Sequence, residues 1–248
     1  MLLSPLLTAA VLVVGVLIGS VGIGGVLLLP ALNTIGGIAL HTAIPACMLA
    51  YIATGTVGAL IYSRHGTVNW RLAAGLCAGG VPGAYLGAFL LPYFSAPALA
   101  LGIAGLLLVS GLHALWRTQT PPGSGAHPRL AALVVIGLIT GTGSALSGTG
   151  GPLLLIPILA WCRVPVLTSI GLSQVIQVPV SVMATLGNAA HGQVDWRLGA
   201  WLALALTAGA ALGAKLAHVL PTALLHKLVA ALLVAVGAFM LARPAFGL

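Results

Sequence analysis

The chain has 248 residues, of which 60% are hydrophobic and 4% are charged, and its formal net charge is +8. Soluble domains carry roughly 25% charged residues, so the composition excludes a soluble globular protein and indicates an integral membrane protein. Because polar and apolar residues do not alternate regularly, a membrane β-barrel is disfavoured and we expect an all-α, polytopic fold.

The basic residues lie mostly at the ends of apolar segments, where cytoplasmic loops of membrane proteins collect positive charge. We therefore attribute the charge to membrane topology and to contact with membrane lipids, and we expect no nucleic-acid partner. Cys47, Cys77 and Cys162 are scattered in apolar surroundings and are interpreted as packing residues. No metal site, disulfide framework or cofactor is predicted.

The first apolar segment, residues 2–19, is long enough for one membrane span. We interpret it as a transmembrane helix and not as a signal peptide, because no positively charged region precedes it. Four glycines between positions 19 and 25 then predict a turn. Residues 26–35 are too short to cross the bilayer and are predicted to form a half-helix or re-entrant segment.

The remaining apolar segments repeat this plan in the second half of the chain. Full helices are predicted at 41–62, 72–91, 98–116, 130–146, 167–188, 196–217 and 222–243, with a second break at 147–151 and a second half-helix at 152–162. A polar stretch rich in proline and glycine separates the halves. The predicted organisation is a first transmembrane repeat (1–116), a polar linker (117–129) and a second transmembrane repeat (130–248).

Two motifs support an internal duplication at an offset of 126 residues. The stretch GIGGVLLLP that begins at Gly22 returns as GTGGPLLL from Gly148, since 148 − 22 = 126. The stretch HGTVNWRLA that begins at His65 returns as HGQVDWRLG from His191, with six of nine positions identical. The chain is therefore interpreted as two copies of one membrane unit.

The number of spans decides how the copies are oriented. We prefer eight full spans plus two broken segments, which places both termini in the cytoplasm by the positive-inside bias. In that arrangement Arg163, Lys215 and Lys227 fall on the outer side, and the inner side holds Arg64, Arg71, Arg117, Arg129, Arg197 and Arg243. If the broken segments cross completely, each copy has five spans and the copies are inverted, as in many transporters.

The two glycine breaks predict a cavity, because irregular backbone at membrane depth is tolerated only where protein buries it or water reaches it. A helix that starts just after each break directs free N–H groups and the positive end of its dipole into that cavity, which suits an anion. The alternative is that the glycines merely allow close helix packing. The predicted anion ligands are Gly22, Gly24, Gly25, Ser20, Gly148, Thr149, Gly150, Gly151 and Ser147.

Further polar side chains lie in or near apolar helices and form a second group of candidates. They are Thr42, Thr168, Ser169, Ser173, Gln174, Gln177 and Asn188. Gln174 and Gln177 are three residues apart and share a helix face, which is unusual in lipid. Hydrogen bonding between helices is an equally good interpretation of each of these residues.

His65 and His191 are candidates for proton coupling because they occupy equivalent positions and titrate near neutrality. The alternative is that they are solvated histidines in surface loops. Asp195, the only acidic residue, is expected to pair locally within its loop. No buried carboxylate is therefore available for proton or sodium coupling.

An enzymatic activity is not predicted. Ser147-Gly148 superficially matches an intramembrane serine protease, but the glycine-x pattern of those enzymes is absent before it. The chain has no phosphate loop, cysteine-histidine cluster or carboxylate pair.

The duplicated glycine turn, followed by apolar residues and proline, resembles the sulfite exporter TauE/SafE family, also called the toluenesulfonate uptake permease family. The resemblance extends from Gly19 to Arg243. It implies a bacterial inner-membrane transporter of sulfite, thiosulfate, sulfoacetate, taurine breakdown products or other small organic anions. We expect a secondary transporter working as an exporter; the alternatives are an anion channel and a membrane-embedded accessory subunit or enzyme.

Overall fold

The computed structural model describes residues 5–22, 24–116, 128–162 and 164–216, and isolated residues between 221 and 242. The described part is helical and contains no β-strand. Its helices are α1 (Pro5–Val21), α2 (Gly25–Thr34), α3 (Leu40–Arg64), α4 (Trp70–Leu90), α5 (Ala96–Trp116), α6 (Leu130–Ser147), α7 (Pro152–Trp161), α8 (Val166–Ala190) and α9 (Trp196–Leu216).

Five of these helices are long and apolar enough to cross a membrane, namely α3, α4, α6, α8 and α9, and α1 is a shorter apolar helix. The predicted all-α, polytopic membrane fold is therefore confirmed. The two half-helices are present as α2 and α7, each ten residues long. Most of the predicted linker and more than half of the last predicted span lie outside the described residues.

The two halves of the chain match helix by helix. Helices α8 and α9 begin and end 126 residues after α3 and α4, since 40 + 126 = 166, 64 + 126 = 190, 70 + 126 = 196 and 90 + 126 = 216. The repeated loop motif explains this agreement, because Asn69 and Asp195 cap the first turns of α4 and α9. Asn69 Oδ1 accepts from the Arg71 and Leu72 N–H groups at 3.2 and 3.3 Å. Asp195 Oδ1 accepts from the two equivalent N–H groups at 3.1 and 3.0 Å.

Glycines bring the helices of one half against those of the other. Gly83 of α4 lies against the carbonyl of Leu138 in α6, and the equivalent Gly209 of α9 lies against the carbonyl of Leu12 in α1. A methyl group at either glycine would overlap that carbonyl, so only glycine permits so close an approach. The repeats are therefore packed through two equivalent, glycine-lined interfaces.

The contacts between α3 and α8 show how the repeats are oriented. Gly58 packs on the side chain of Gln174, and Gly55 packs on the side chain of Gln177. The residue number falls in one helix as it rises in the other, so α3 and α8 are antiparallel. Because they are equivalent elements, the two repeats are inverted with respect to each other.

The inverted arrangement corrects the expected placement of the basic residues. Helices α4 and α6 run parallel, because Gly79 lies against Val134 and Gly87 lies against Thr142. Arg64, Arg71 and Arg129 therefore share one face of the membrane, whereas Arg197, at the start of α9, lies on the opposite face. The expectation that Arg197 shares the face of Arg64 was wrong. The helix directions favour two inverted five-helix repeats over eight spans.

The half-helices fold back along the helices that precede them. The point that a Cβ atom on Gly24 would occupy lies 2.6 Å from the Val14 carbonyl oxygen and from the Ile18 backbone nitrogen, so α2 starts against the middle of α1. In the second repeat Gly143 of α6 contacts Leu154 of α7. Each half-helix thus begins inside the protein.

Candidate functional site

The glycine breaks adopt backbone conformations that favour glycine. Gly22, which follows α1, has a φ of 80°, and Gly148, Gly150 and Gly151, between α6 and α7, have φ values of 63°, 78° and 109°. Side chains with a Cβ atom rarely adopt such angles. The interruptions predicted from glycine spacing are therefore present in both repeats.

The two breaks meet around Tyr51, which lies in the middle of α3. The Tyr51 hydroxyl donates to the Gly25 carbonyl at 2.9 Å. A Cβ atom on Gly150 would lie 2.9 Å from the tyrosine ring, and one on Gly25 would lie 2.8 Å from the Thr149 carbonyl oxygen. Tyr51 therefore fills the space between the first turn of α2 and the loop before α7.

The backbone carbonyls near the first break accept hydrogen bonds from side chains of α3 and α8. The Tyr62 hydroxyl donates to the Gly19 carbonyl at 3.0 Å, and also approaches the Ser20 carbonyl at 3.5 Å. Gln174 Nε2 donates to the Ile18 carbonyl at 2.8 Å. Tyr62 thus serves carbonyls in the last turn of α1, where a helix runs out of its own N–H donors, and Gln174 adds a second bond to the Ile18 carbonyl, which also accepts from the Gly22 N–H group at 3.0 Å.

Gln177 links α8 to α3 beside the same region. Its Nε2 donates to Thr54 Oγ1 at 2.9 Å and to the Tyr51 carbonyl at 3.3 Å. The structure therefore brings both predicted glutamines to the glycine breaks. Ser173 joins them, since a Cβ atom on Gly22 would lie 3.2 Å from its hydroxyl.

The second break is lined by hydroxyl groups. Ser147 Oγ donates to the Gly143 carbonyl at 2.6 Å and lies 3.0 Å from Thr149 Oγ1. Thr140 and Ser144 of α6 are fully buried near Gly151. Sequence reasoning did not identify Thr140, Ser144, Tyr51, Tyr62 or Thr54 as parts of the site. A hydroxyl within an apolar helix was the available signal for each of them.

Thr42 lies away from the breaks, in a cavity of about 360 Å³ at the start of α3. The lining residues are His41, Thr42, Gly192, Gln193, Val194 and Asp195. Ile44, less than one turn further along α3, contacts Gly148, so this part of α3 extends from the cavity to the second break. Thr168, the equivalent of Thr42, is half-buried at the start of α8.

His65 and His191 are exposed at the ends of α3 and α8. In each, ring Nδ1 lies 2.8 Å from the backbone carbonyl four residues earlier, that of Ile61 or Gly187. Because α3 and α8 are antiparallel, the two histidines lie on opposite faces of the membrane. The structure does not bring either of them to the breaks.

The two breaks offer a ligand neutral hydrogen-bond donors and the N-terminal ends of helix dipoles. Helices α2 and α7 both begin at the breaks, so the positive ends of their dipoles point to the region around Tyr51. Inverted repeats whose broken helices meet inside the membrane define the architecture of a membrane transporter.

The chain belongs to the sulfite exporter TauE/SafE family, whose sequence profile matches residues 7–240. A probable membrane transporter protein of Xylella fastidiosa (strain 9a5c) is 28% identical over 211 residues, which cover 82% of this chain and 81% of that protein. The probable membrane transporter protein YdhB of Bacillus subtilis is 25% identical over 229 residues, with 89% and 93% covered. The probable membrane transporter protein MJ0441 of Methanocaldococcus jannaschii is 26% identical over 182 residues, with 70% and 67% covered. No solved structure gives a significant match.

Proposed function

We propose that the protein is a secondary transporter that exports a small sulfur-containing or organic anion, of the sulfite, sulfonate or sulfoacetate type, across a bacterial inner membrane. The observation that carries the proposal is the meeting of two half-helix N-termini around Tyr51 inside an inverted repeat. The description of the family as sulfite exporters supports the choice of substrate class and direction.

The region around Tyr51 suits an anion because it offers hydrogen-bond donors. Backbone N–H groups at a helix N-terminus, with the positive end of the helix dipole behind them, bind negative charge without a buried cation. The arginines in the described helices and loops lie near helix ends, where water reaches them. A site built from neutral donors also releases its ligand more readily than one that pairs it with arginine.

The membrane potential supplies a driving force for export. Moving one negative charge out of a negative cytoplasm releases about 2.3 kcal/mol per 100 mV. Coupling to a carboxylate is not required, and Asp195, the only acidic residue, caps α9. Proton coupling through His65 or His191 is the alternative that the experiment below distinguishes.

The inverted repeats supply a means of alternating access. Two equivalent, oppositely oriented units can exchange conformations, so that the site opens to one face and then to the other. Tyr51 stands between the breaks in the present conformation, which argues against a continuously open anion channel. Relative movement of the repeats would have to displace its ring.

The test is anion flux through the purified protein in proteoliposomes, with a potential set by potassium and valinomycin. We expect saturable efflux of sulfite, thiosulfate or sulfoacetate that accelerates when the inside is negative and is unaffected by a pH gradient. Liposomes without protein are the control. Flux that does not saturate would identify a channel, flux that follows the pH gradient would identify proton coupling, and no flux of any of these anions would contradict the proposal.

A further inference from the structure

The two breaks have the same sequence plan but differ in how their polar groups are satisfied. Near the first break, Tyr62 and Gln174 donate to the carbonyls of Gly19 and Ile18. The Ser173 hydroxyl beside Gly22 donates to the Ile170 carbonyl at 2.7 Å. The donor groups of Tyr62, Gln174 and Ser173 are therefore already used within the protein, whereas the Ser169 hydroxyl and Gln174 Oε1 have no partner among the described residues.

The second break has buried hydroxyls that are not used. Thr140 and Ser144 are 0% exposed, and neither hydroxyl has a hydrogen-bond partner among the described residues. Both side chains lie near Gly151, since a Cβ atom on that glycine would lie 4.0 Å from Ser144 Oγ and 3.9 Å from the Thr140 methyl carbon Cγ2. Burying an unpaired hydroxyl costs free energy, so these two groups are better explained by a ligand that accepts from them.

The backbone of the second break is also shaped for an anion. Gly148, Gly150 and Gly151 all have positive φ, whereas in the first break Gly22 has a φ of 80° and Gly24 a φ of −62°. Because Gly150 and Gly151 carry no side chain, a ligand can approach their backbone N–H groups closely. Helix α7 begins directly after these glycines, so the positive end of its dipole adds to the attraction.

Tyr62, which donates to the Gly19 carbonyl near the first break, has a different residue as its counterpart in the second repeat. Asn188 is the counterpart of Tyr62, since 62 + 126 = 188, and it is fully buried. Neither atom of its amide has a partner in the part of the chain that the structure describes. The antiparallel pairing of residue 58 with 174 places 188 opposite 44, since 174 + 14 = 188 and 58 − 14 = 44, and Ile44 contacts Gly148.

Unpaired hydroxyls extend along α8 on the face that carries Asn188. Ser181 lies four residues before Thr185, and Thr185 lies three residues before Asn188, so the three share one helix face. The hydroxyls of Ser181 and Thr185 are buried and have no partner within the described segments. The corresponding residues of α3 are Gly55 and Ala59, which have no polar side chain. A polar stripe therefore leads along α8 to the level of the second break and has no counterpart in α3.

We infer that the second break binds the anion and that the first break is its closed structural counterpart. A small oxyanion lies on the N–H groups of Gly150 and Gly151 and accepts hydrogen bonds from the Ser144 and Thr140 hydroxyls. It leaves past Asn188 to the cavity formed by His41, Thr42 and Gln193, on the membrane face of Arg197. This inference rests on the proposed function, because it assumes that the protein binds small anions.

Matched hydroxyl deletions at the two breaks test this inference. The variants are Ser144→Ala and Thr140→Val at the second break, with Ser173→Ala at the first break as the control. Anion binding to purified protein is measured by calorimetry with whichever of sulfite, thiosulfate or sulfoacetate binds the unmodified protein most tightly. We expect Ser144→Ala and Thr140→Val each to raise the Kd about tenfold or more, since each removes a hydrogen bond to a charged ligand. Ser173→Ala should change the Kd less than twofold.

The melting temperature without anion separates a ligand-binding role from a structural one. Removing a buried hydroxyl that has no partner should leave the melting temperature unchanged or raise it, whereas Ser173→Ala should lower it. An unchanged Kd in Ser144→Ala and Thr140→Val, or an equal loss of affinity in Ser173→Ala, would overturn the inference while leaving the proposed function standing. If the unmodified protein binds none of the three anions, the proposed function fails as well.

Discussion

Gln177 donates a hydrogen bond to the backbone carbonyl of Tyr51, and these two residues are each other's equivalents in the two repeats, since 51 + 126 = 177. The bond therefore joins the two repeats at equivalent positions, one in α3 and one in α8. Tyr51 in turn bonds the first turn of α2 and packs on the loop before α7. Movement of one repeat against the other must act on this junction.

The hydroxyl of Thr54 is predicted to stabilise the junction because it accepts from Gln177 at 2.9 Å. Thr54→Val should reduce stability by about 1–3 kcal/mol, since it leaves a buried amide donor with a weaker set of partners. Thr56→Val is the matched control, because the Thr56 hydroxyl is exposed and bonds the Ile52 carbonyl of its own helix. The melting temperatures of the two variants in detergent measure their loss of stability. An equal loss in the two variants would show that Thr54 has no special role.

The glycine-lined interface between α4 and α6 is predicted to depend on the absence of a side chain. A methyl group at Gly79 would overlap the Val134 carbonyl, so Gly79→Ala should cost about 1–3 kcal/mol of stability. Gly102→Ala in α5 is the control, since nothing lies within 4 Å of the added atom. The control should be neutral or more stable by about 0.5–1 kcal/mol, because alanine favours helix. A Gly79→Ala protein as stable as the control would contradict this packing.

Asp195 is predicted to act as a helix cap and not as a coupling carboxylate. Asp195→Asn keeps an oxygen that accepts from the Arg197 and Leu198 N–H groups, so stability and anion flux should both be retained. Asp195→Ala removes the cap and should cost about 1 kcal/mol, as should Asn69→Ala at the equivalent position. Melting temperature and proteoliposome flux are the measurements. Loss of flux in Asp195→Asn at unchanged stability would assign the carboxylate a role in transport.

The inverted repeats predict that equivalent exposed residues label from opposite sides of the membrane. In a variant whose native cysteines are replaced, His65→Cys and His191→Cys should react with an impermeant maleimide, one only from outside and the other only from inside oriented vesicles. Modification of both cysteines from the same side would contradict the inverted repeats and support the parallel, eight-span arrangement. The same two variants should keep the flux and its pH dependence if neither histidine carries the coupled proton.

Much of the fold could be predicted because its signals are local. Four glycines within seven residues are incompatible with a regular helix, and the repeated loop from His65 and His191 marks the ends of α3 and α8. The relative orientation of the repeats could not be predicted in the same way. Arg71 and Arg197 occupy equivalent positions, so their charges carry no information about inversion. The orientation depends on whether a ten-residue half-helix returns the chain across the membrane, and composition does not determine that.

The candidate site was predicted only in part, for a related reason. Glutamines stand out in an apolar helix, and the structure places Gln174 and Gln177 beside the breaks. Serine and threonine do not stand out, because they are common in membrane helices and usually bond their own backbone. The unpaired state of Ser144 depends on what surrounds it in three dimensions, and sequence spacing does not show this.

The most direct test of the central claim is to locate a bound anion. Selenite has the shape and charge of sulfite and scatters X-rays anomalously, so crystals of the protein grown with selenite would show where it lies. We predict an anomalous peak within hydrogen-bonding distance of Ser144 Oγ and the Gly151 N–H group. A peak in the membrane region away from both breaks, or none in crystals of protein that transports selenite, would contradict the claim that the glycine breaks hold the transported anion, and a peak at the first break would contradict its assignment to the second.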